Sequence, residues 1–148
     1  MAIPQTDENG WLPGGVYDCS LDQVAARFGN FQGSDRRPIL WARFSEFIRV
    51  ARASGLVQSI LLDGSFVSAK SDPNDIDLIV VVALTHDFSA DLPPFQYNIL
   101  DQKGVRKRFG FDIVVVKNES SNLDLVIAFF QQVKQRPGLR KGILRLLI

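Results

Sequence analysis

An α/β fold, α+β-like in its element order, is predicted for this chain: a small β-sheet with helices packed on it. Three observations predict it. Apolar runs rich in β-branched residues at 56–63, 75–84 and 109–117 have strand length. The stretches around them place apolar residues at helical spacing. The 148 residues suffice for one domain with a real core and are short for two. The reading is a single domain over 1–148, with an N-terminal arm and short helix over 1–33 and a core over 34–148.

Taken in order, residues 1–10 read as a loose polar arm. The next stretch, 11–17, is turn-rich but carries Trp11 and Tyr17. These aromatics either pack on the body of the domain or form a lip for a nucleobase or partner. Ser20 and Gln23 have capping-box spacing, so a short helix follows with Leu21, Val24, Ala25 and Phe28 on one side, ending at Gly29. After a loop at 30–33, Ser34 or Asp35 caps a second helix, with Pro38 in its first turn. Leu40, Phe44, Phe47, Ile48 and Ala51 form its apolar stripe, and Gly55 stops it.

The first core strand is 56–63, and 65–70 reads as a short helix starting at a Gly64-Ser65 turn. The Ser-Asp-Pro-Asn sequence at 71–74 is turn chemistry. The run 75–84 is apolar on both faces past its acids, as a covered central strand requires. A helix is expected from 91 to about 102, then a basic cluster of Lys103, Arg106, Lys107 and Arg108 before the third strand, 109–117. That cluster is either a solvated surface or a reach toward phosphate or RNA. Ser120 or Ser121 caps a last helix with Leu123, Val126, Ile127, Phe130 and Val133 on its stripe, broken at 136–138. The apolar end, 142–148, is a strand on the sheet or a contact with a partner.

Composition narrows the chemistry. Apolar residues make up 46% and charged ones 22%, and a net charge of +1 gives no global basic excess for nucleic acid. Cys19 is the only cysteine, which excludes an internal disulfide and a Cys-rich zinc site. His86 is the only histidine, which argues against His-based metal sites and Ser–His or Cys–His nucleophiles. With no signal-like N-terminal run and no apolar run of membrane-spanning length, the expected address is cytoplasmic, with no membrane partner.

The acids carry the functional reading. Asp75 and Asp77 stand at the head of a strand run, where residues i and i+2 share a face. Asp112 heads the next run. Asp is depleted in strands and costly to bury unpaired. A hard cation such as Mg²⁺ or Mn²⁺ relieves the repulsion among converging carboxylates. Gly64 lets backbone approach a phosphate closely.

Gly64-Ser65, nine residues, then Asp75-Ile76-Asp77, with Asp112 on a later strand, resembles the DNA polymerase β-type nucleotidyltransferase superfamily. Over about 57–117 the wording is similar to that of its small bacterial members. The resemblance implies a nucleotidyltransferase fold, with a mixed sheet and the three acids meeting at one end. It implies that Asp75 and Asp77 hold the cation of a nucleoside triphosphate, and that Asp112 helps bind a second and orients or deprotonates the acceptor hydroxyl. It further implies that Gly64 and Ser65 hold the β and γ phosphates. Lys70 is a candidate phosphate contact, or simply a surface lysine. Asp63 departs from the pattern, which has an apolar or aromatic residue before the Gly-Ser pair.

The expected function is thus metal-dependent transfer of a nucleoside monophosphate from an NTP to an RNA, protein or small-molecule acceptor. The alternative is a non-catalytic nucleotide-, RNA- or partner-binding protein, for example half of a toxin–antitoxin or defence pair. A chain this short leaves little room for an acceptor-binding domain, so a homodimer or partner protein is expected.

Overall fold

A computed structural model describes residues 3–148. Its order is β1 (Gly15–Asp18), α1 (Leu21–Phe28), α2 (Arg36–Ser54), β2 (Val57–Asp63), β3 (Asp77–Val82), α3 (Pro94–Leu100), α4 (Gln102–Phe109), β4 (Asp112–Lys117), α5 (Ser121–Phe130) and β5 (Gly142–Leu147). The strands form one mixed sheet in the order β1-β5-β2-β3-β4. β2 runs antiparallel to both its neighbours, β3 and β5, while β3–β4 and β1–β5 are parallel. The α/β expectation with a small mixed sheet holds.

Strand parity sorts the core into two faces. Ile60, Leu62, Leu78, Val80 and Ile113 meet Phe28, Phe44, Phe47 and Val105 from α1, α2 and α4. Leu61, Ile79, Val81 and Val116 point the other way and meet Leu123, Val126, Ile127 and Phe130 of α5. Asp63, Asp77 and Asp112 share the parity of this second set, so they belong to the α5 face.

Local signals set several boundaries. The Ser20 hydroxyl accepts from Gln23 N at 3.2 Å while the Gln23 side chain accepts from Ser20 N at 2.9 Å, completing the capping box. Gly55 ends α2 in the left-handed region at φ 69°. Asp35 is the N-cap of α2 but makes no side-chain cap bond; the Ser34 hydroxyl takes the Arg36 N–H instead.

Several expectations are corrected. The 65–70 stretch is not a helix. The carbonyls of Phe66, Ser68 and Lys70, at every second residue, all accept from the buried Arg37 guanidinium. Alternate carbonyls on one side are extended geometry, and Ser68 makes an isolated bridge with Trp11. The second strand begins at Asp77, not Asp75, and ends at Val82, where the chain turns through the His86 N–H to Ala83 O bond. The expected helix from 91 becomes two, because Asp101 is extended and its carboxylate caps α4 through Gly104 N. The basic cluster therefore lies on α4, and β4 begins at Asp112 after left-handed Gly110. Helix α5 ends at Phe130, leaving Val133 in the following loop. Finally, the turn-rich stretch contains β1, an edge strand paired to β5. Of the two readings for the apolar end, the strand on the sheet is the one seen.

Candidate functional site

The site is built by register. Asp63 at the end of β2 pairs with Asp77 at the start of β3, and Asp77 pairs with Asp112 at the start of β4. Directly paired residues project from the same face of a sheet. Three adjacent strands therefore present a row of carboxylates on the α5 face.

Asp75 arrives differently, since it lies before the strand. Its Oδ1 accepts from Ser65 N at 2.9 Å and from Ser65 Oγ at 2.6 Å. The same hydroxyl oxygen accepts from Asn74 N at 2.9 Å and Asp75 N at 3.2 Å. Ser65 is thus fully engaged in shaping the Asp75 loop, and its hydroxyl proton points at Asp75. Gly64 is needed for the same crossing. Its φ is 91°, and an added Cβ would lie 2.9 Å from Asp75 O and 3.1 Å from Asp77 N. Both residues hold the two chain segments together.

Two arginines of α2 support this loop from below. Arg36 donates to the carbonyls of Pro73 and Asn74, both at 3.0 Å. Arg37, fully buried and without an ion pair among the described residues, adds Phe28 O at 3.2 Å to its three carbonyls of the 66–70 segment, and lies over the Phe66 ring at 5.4 Å. A buried cation that donates through both terminal nitrogens to carbonyls fixes their spacing, which is how a segment without regular structure acquires a defined shape; its Nε finds no partner among the described residues.

The carboxylates differ in their partners. The buried Asp63 lies 3.0 Å from Lys141 Nζ, an ion pair whose alignment falls short of a hydrogen bond. Lys141 also sits over the Trp11 ring at 4.6 Å. Asp112, largely exposed, is ion-paired to Arg106 of α4. Asp77 is half-buried and receives no hydrogen bond or ion pair among the described residues. Burial, then the charges of Asp75, Asp63 and Asp112, push its carboxyl from an ordinary 3.8 to about 6, with Lys141 opposing. Burial likewise raises Asp63 against the pull of Lys141. At Asp75 burial acts upward too, but the Ser65 hydroxyl and N–H outweigh it and hold the carboxyl below its usual range.

A cleft of about 980 Å³ opens over Asp63, Asp75, Asp77 and the Gly64-Ser65 turn. The 132–141 loop lines the same cleft, with Trp11, Phe129 and Phe130 also contributing. Lys134, Arg136, Arg140 and Lys141 of that loop line the cleft. Neither Asp112 nor Lys70 is a lining residue; the Lys70 charge still helps lower Asp75. The cations of α4 do not line it either: Arg106 is committed to Asp112, and Arg108 lies over the Phe109 ring and toward Glu46. A smaller cavity of about 290 Å³ beside α2, α3 and α4 contains no carboxylate.

In donor chemistry and strand position these acids fit a hard divalent cation. In side-chain arrangement, no group of three or more His, Cys, Asp or Glu among the described residues stands ready to hold a metal ion. The obstacle is small at Asp112. Both partners of its pair with Arg106 are about two-thirds exposed, at 64% and 70%. Such a pair is worth about 0–1 kcal/mol, so swinging Asp112 back costs little.

The sequence reading missed Arg37 and the 132–141 loop. A signal for the loop was present: no acid follows Asp124, while Lys134, Arg136, Arg140, Lys141 and Arg145 all do. Among the described residues no helix is long and apolar enough to cross a membrane. No curated protein and no solved structure matches the chain. The model of a family of unknown function, DUF6932, matches residues 4–147, and the chain belongs to that family.

Proposed function

We propose that this chain is a metal-dependent nucleotidyltransferase, moving a nucleoside monophosphate from an NTP to an acceptor hydroxyl. The observation that carries the reading is the row of in-register carboxylates on three adjacent strands, with the unpaired, half-buried Asp77 at its centre lining a large cleft. An unpaired carboxylate in that position opposes folding, and such strain is retained where a ligand relieves it. Asp75 and Asp77, with Asp112 turned inward, would hold Mg²⁺ or Mn²⁺. The chemistry such an ion supplies when bound is neutralisation of charge on the nucleotide's phosphate oxygens.

The chain's own residues do the rest. Ser65 and Gly64 fix Asp75 beside Asp77. Asp112, at the strand position next to Asp77 and exposed, would turn from Arg106 and accept the proton of an acceptor hydroxyl. That oxygen then bonds to the α-phosphorus as the bond to the β-phosphate bridge breaks, and pyrophosphate leaves. The test is incubation with α-labelled NTP, Mg²⁺ and cell extract. Label should move to an acceptor with wild type and not with Asp77→Asn. Transfer that survives Asp77→Asn contradicts the assignment.

A second reading, binding of nucleotide, RNA or a partner without turnover, is favoured by two contacts: Arg106 on Asp112 and the engagement of the Ser65 hydroxyl with Asp75. It predicts metal-dependent nucleotide binding with no label transfer to any acceptor.

A further inference from the structure

We infer that the 132–141 loop, not the Gly64-Ser65 turn, is the oligophosphate subsite of the cleft; this rests on the nucleotidyltransferase reading of the same cleft. The turn is already spent. The Ser65 hydroxyl donates to Asp75 and accepts two backbone N–H groups, and the Ser65 N–H also goes to Asp75. Neither donor is free for a phosphate oxygen. The loop has the opposite character. Lys134 and Arg140 line the cleft and make no ion pair or hydrogen bond among the described residues. Arg136, whose guanidinium donates to Asn9 Oδ1 at 2.9 Å, lines it beside them.

No acid lies between Leu125 and Ile148 to neutralise these cations. Lys141 is different. It is tied to Asp63 and Trp11 and anchors the loop at the carboxylate wall. The cleft is thus lined both by carboxylates and by cations that make no ion pair among the described residues. An elongated anion with several charges, such as a triphosphate, pairs with these cations while one end lies in the same cleft as the carboxylates. A single orthophosphate offers these cations less charge and fewer oxygens than a triphosphate does.

The test measures binding of inorganic tripolyphosphate and, separately, ATP to the full chain by calorimetry, in EDTA so that no divalent cation contributes. Three variants are compared with wild type: the loop pair Lys134→Ala/Arg140→Ala, Ser65→Ala, and the charge-matched control Lys103→Ala/Lys107→Ala on α4. The loop pair should weaken both ligands at least about ten-fold. The α4 control should stay within about two-fold of wild type, Ser65→Ala should lose clearly less than the loop pair, and orthophosphate should bind far more weakly than tripolyphosphate. Wild type that binds no tripolyphosphate, an equal loss in the α4 control, or a loss confined to Ser65→Ala each overturns the subsite. Loss of tripolyphosphate alone, with ATP unaffected, also overturns it as a nucleotide subsite. Failure of the catalytic reading looks different: oligophosphate binding follows the loop, yet no α-label ever moves to an acceptor.

Discussion

Replacing Asp77 by Asn in the metal-free protein should make it more stable, and the gain should depend on pH in one direction. Folding raises the Asp77 carboxyl from 3.8 to about 6, through burial first and then the charges of Asp75, Asp63 and Asp112. The folded chain therefore binds this proton more tightly than the unfolded chain. Stability from this group is fully present below about pH 4 and is lost as pH rises through about 6. The full shift corresponds to about 3 kcal/mol. Asp77 is only half-buried, so solvent screening reduces the penalty to about 1–2 kcal/mol. Asn keeps the shape and removes the charge. At pH 7.5 in EDTA, Asp77→Asn should gain about 1–2 kcal/mol in urea unfolding, or about 2–8 °C in Tm. At pH 4 the two proteins should nearly coincide. A variant less stable than wild type at pH 7.5, or a difference that does not shrink toward pH 4, refutes the electrostatic argument.

Gly64→Ala should destabilise the fold by about 2–4 kcal/mol, because the new methyl meets Asp75 O and the backbone is left-handed; urea unfolding checks this, and a loss below about 0.5 kcal/mol contradicts it. Ser65→Ala should cost about 1–3 kcal/mol and raise the Asp75 pKa, since the hydroxyl that holds it low is gone; an unchanged carboxyl titration by NMR would show that Ser65 does not position Asp75. Arg37→Met strands four carbonyls and should cost on the order of 3–5 kcal/mol, with new protease cleavage in 65–70. A stable Arg37→Met protein with an uncut 65–70 segment would mean that water replaces the guanidinium.

The parts of the fold legible in the sequence are those set by local chemistry. Ser20 and Gln23 cap each other three residues apart, Gly55 supplies the left-handed stop, and Asp77 and Asp112 stand out because an acid leading a β-branched run is costly. What was illegible is nonlocal. Residues 65–70 have no strong local preference, and their shape comes from Arg37, about thirty residues earlier. β1 has only four residues and exists because β5 offers it an edge. Asp63 looked like a departure from a motif; its pairing with Asp77 and its contact with Lys141 emerge only once three strands are aligned. The cations at 134–141 line the same cleft as the acids because the α5 helix that leads into them packs on the sheet face on which the acids lie.

Whether these carboxylates hold a divalent cation is read from a titration with Mn²⁺ followed by its electron paramagnetic resonance. At pH 7.5, where Asp77 is ionised, wild type should remove Mn²⁺ from the free-ion signal. Asp77→Asn should lose that binding while remaining folded, and ATP should tighten it in wild type by mass action. Mn²⁺ binding of equal strength in wild type and Asp77→Asn, or no binding by wild type with ATP present, would contradict the account.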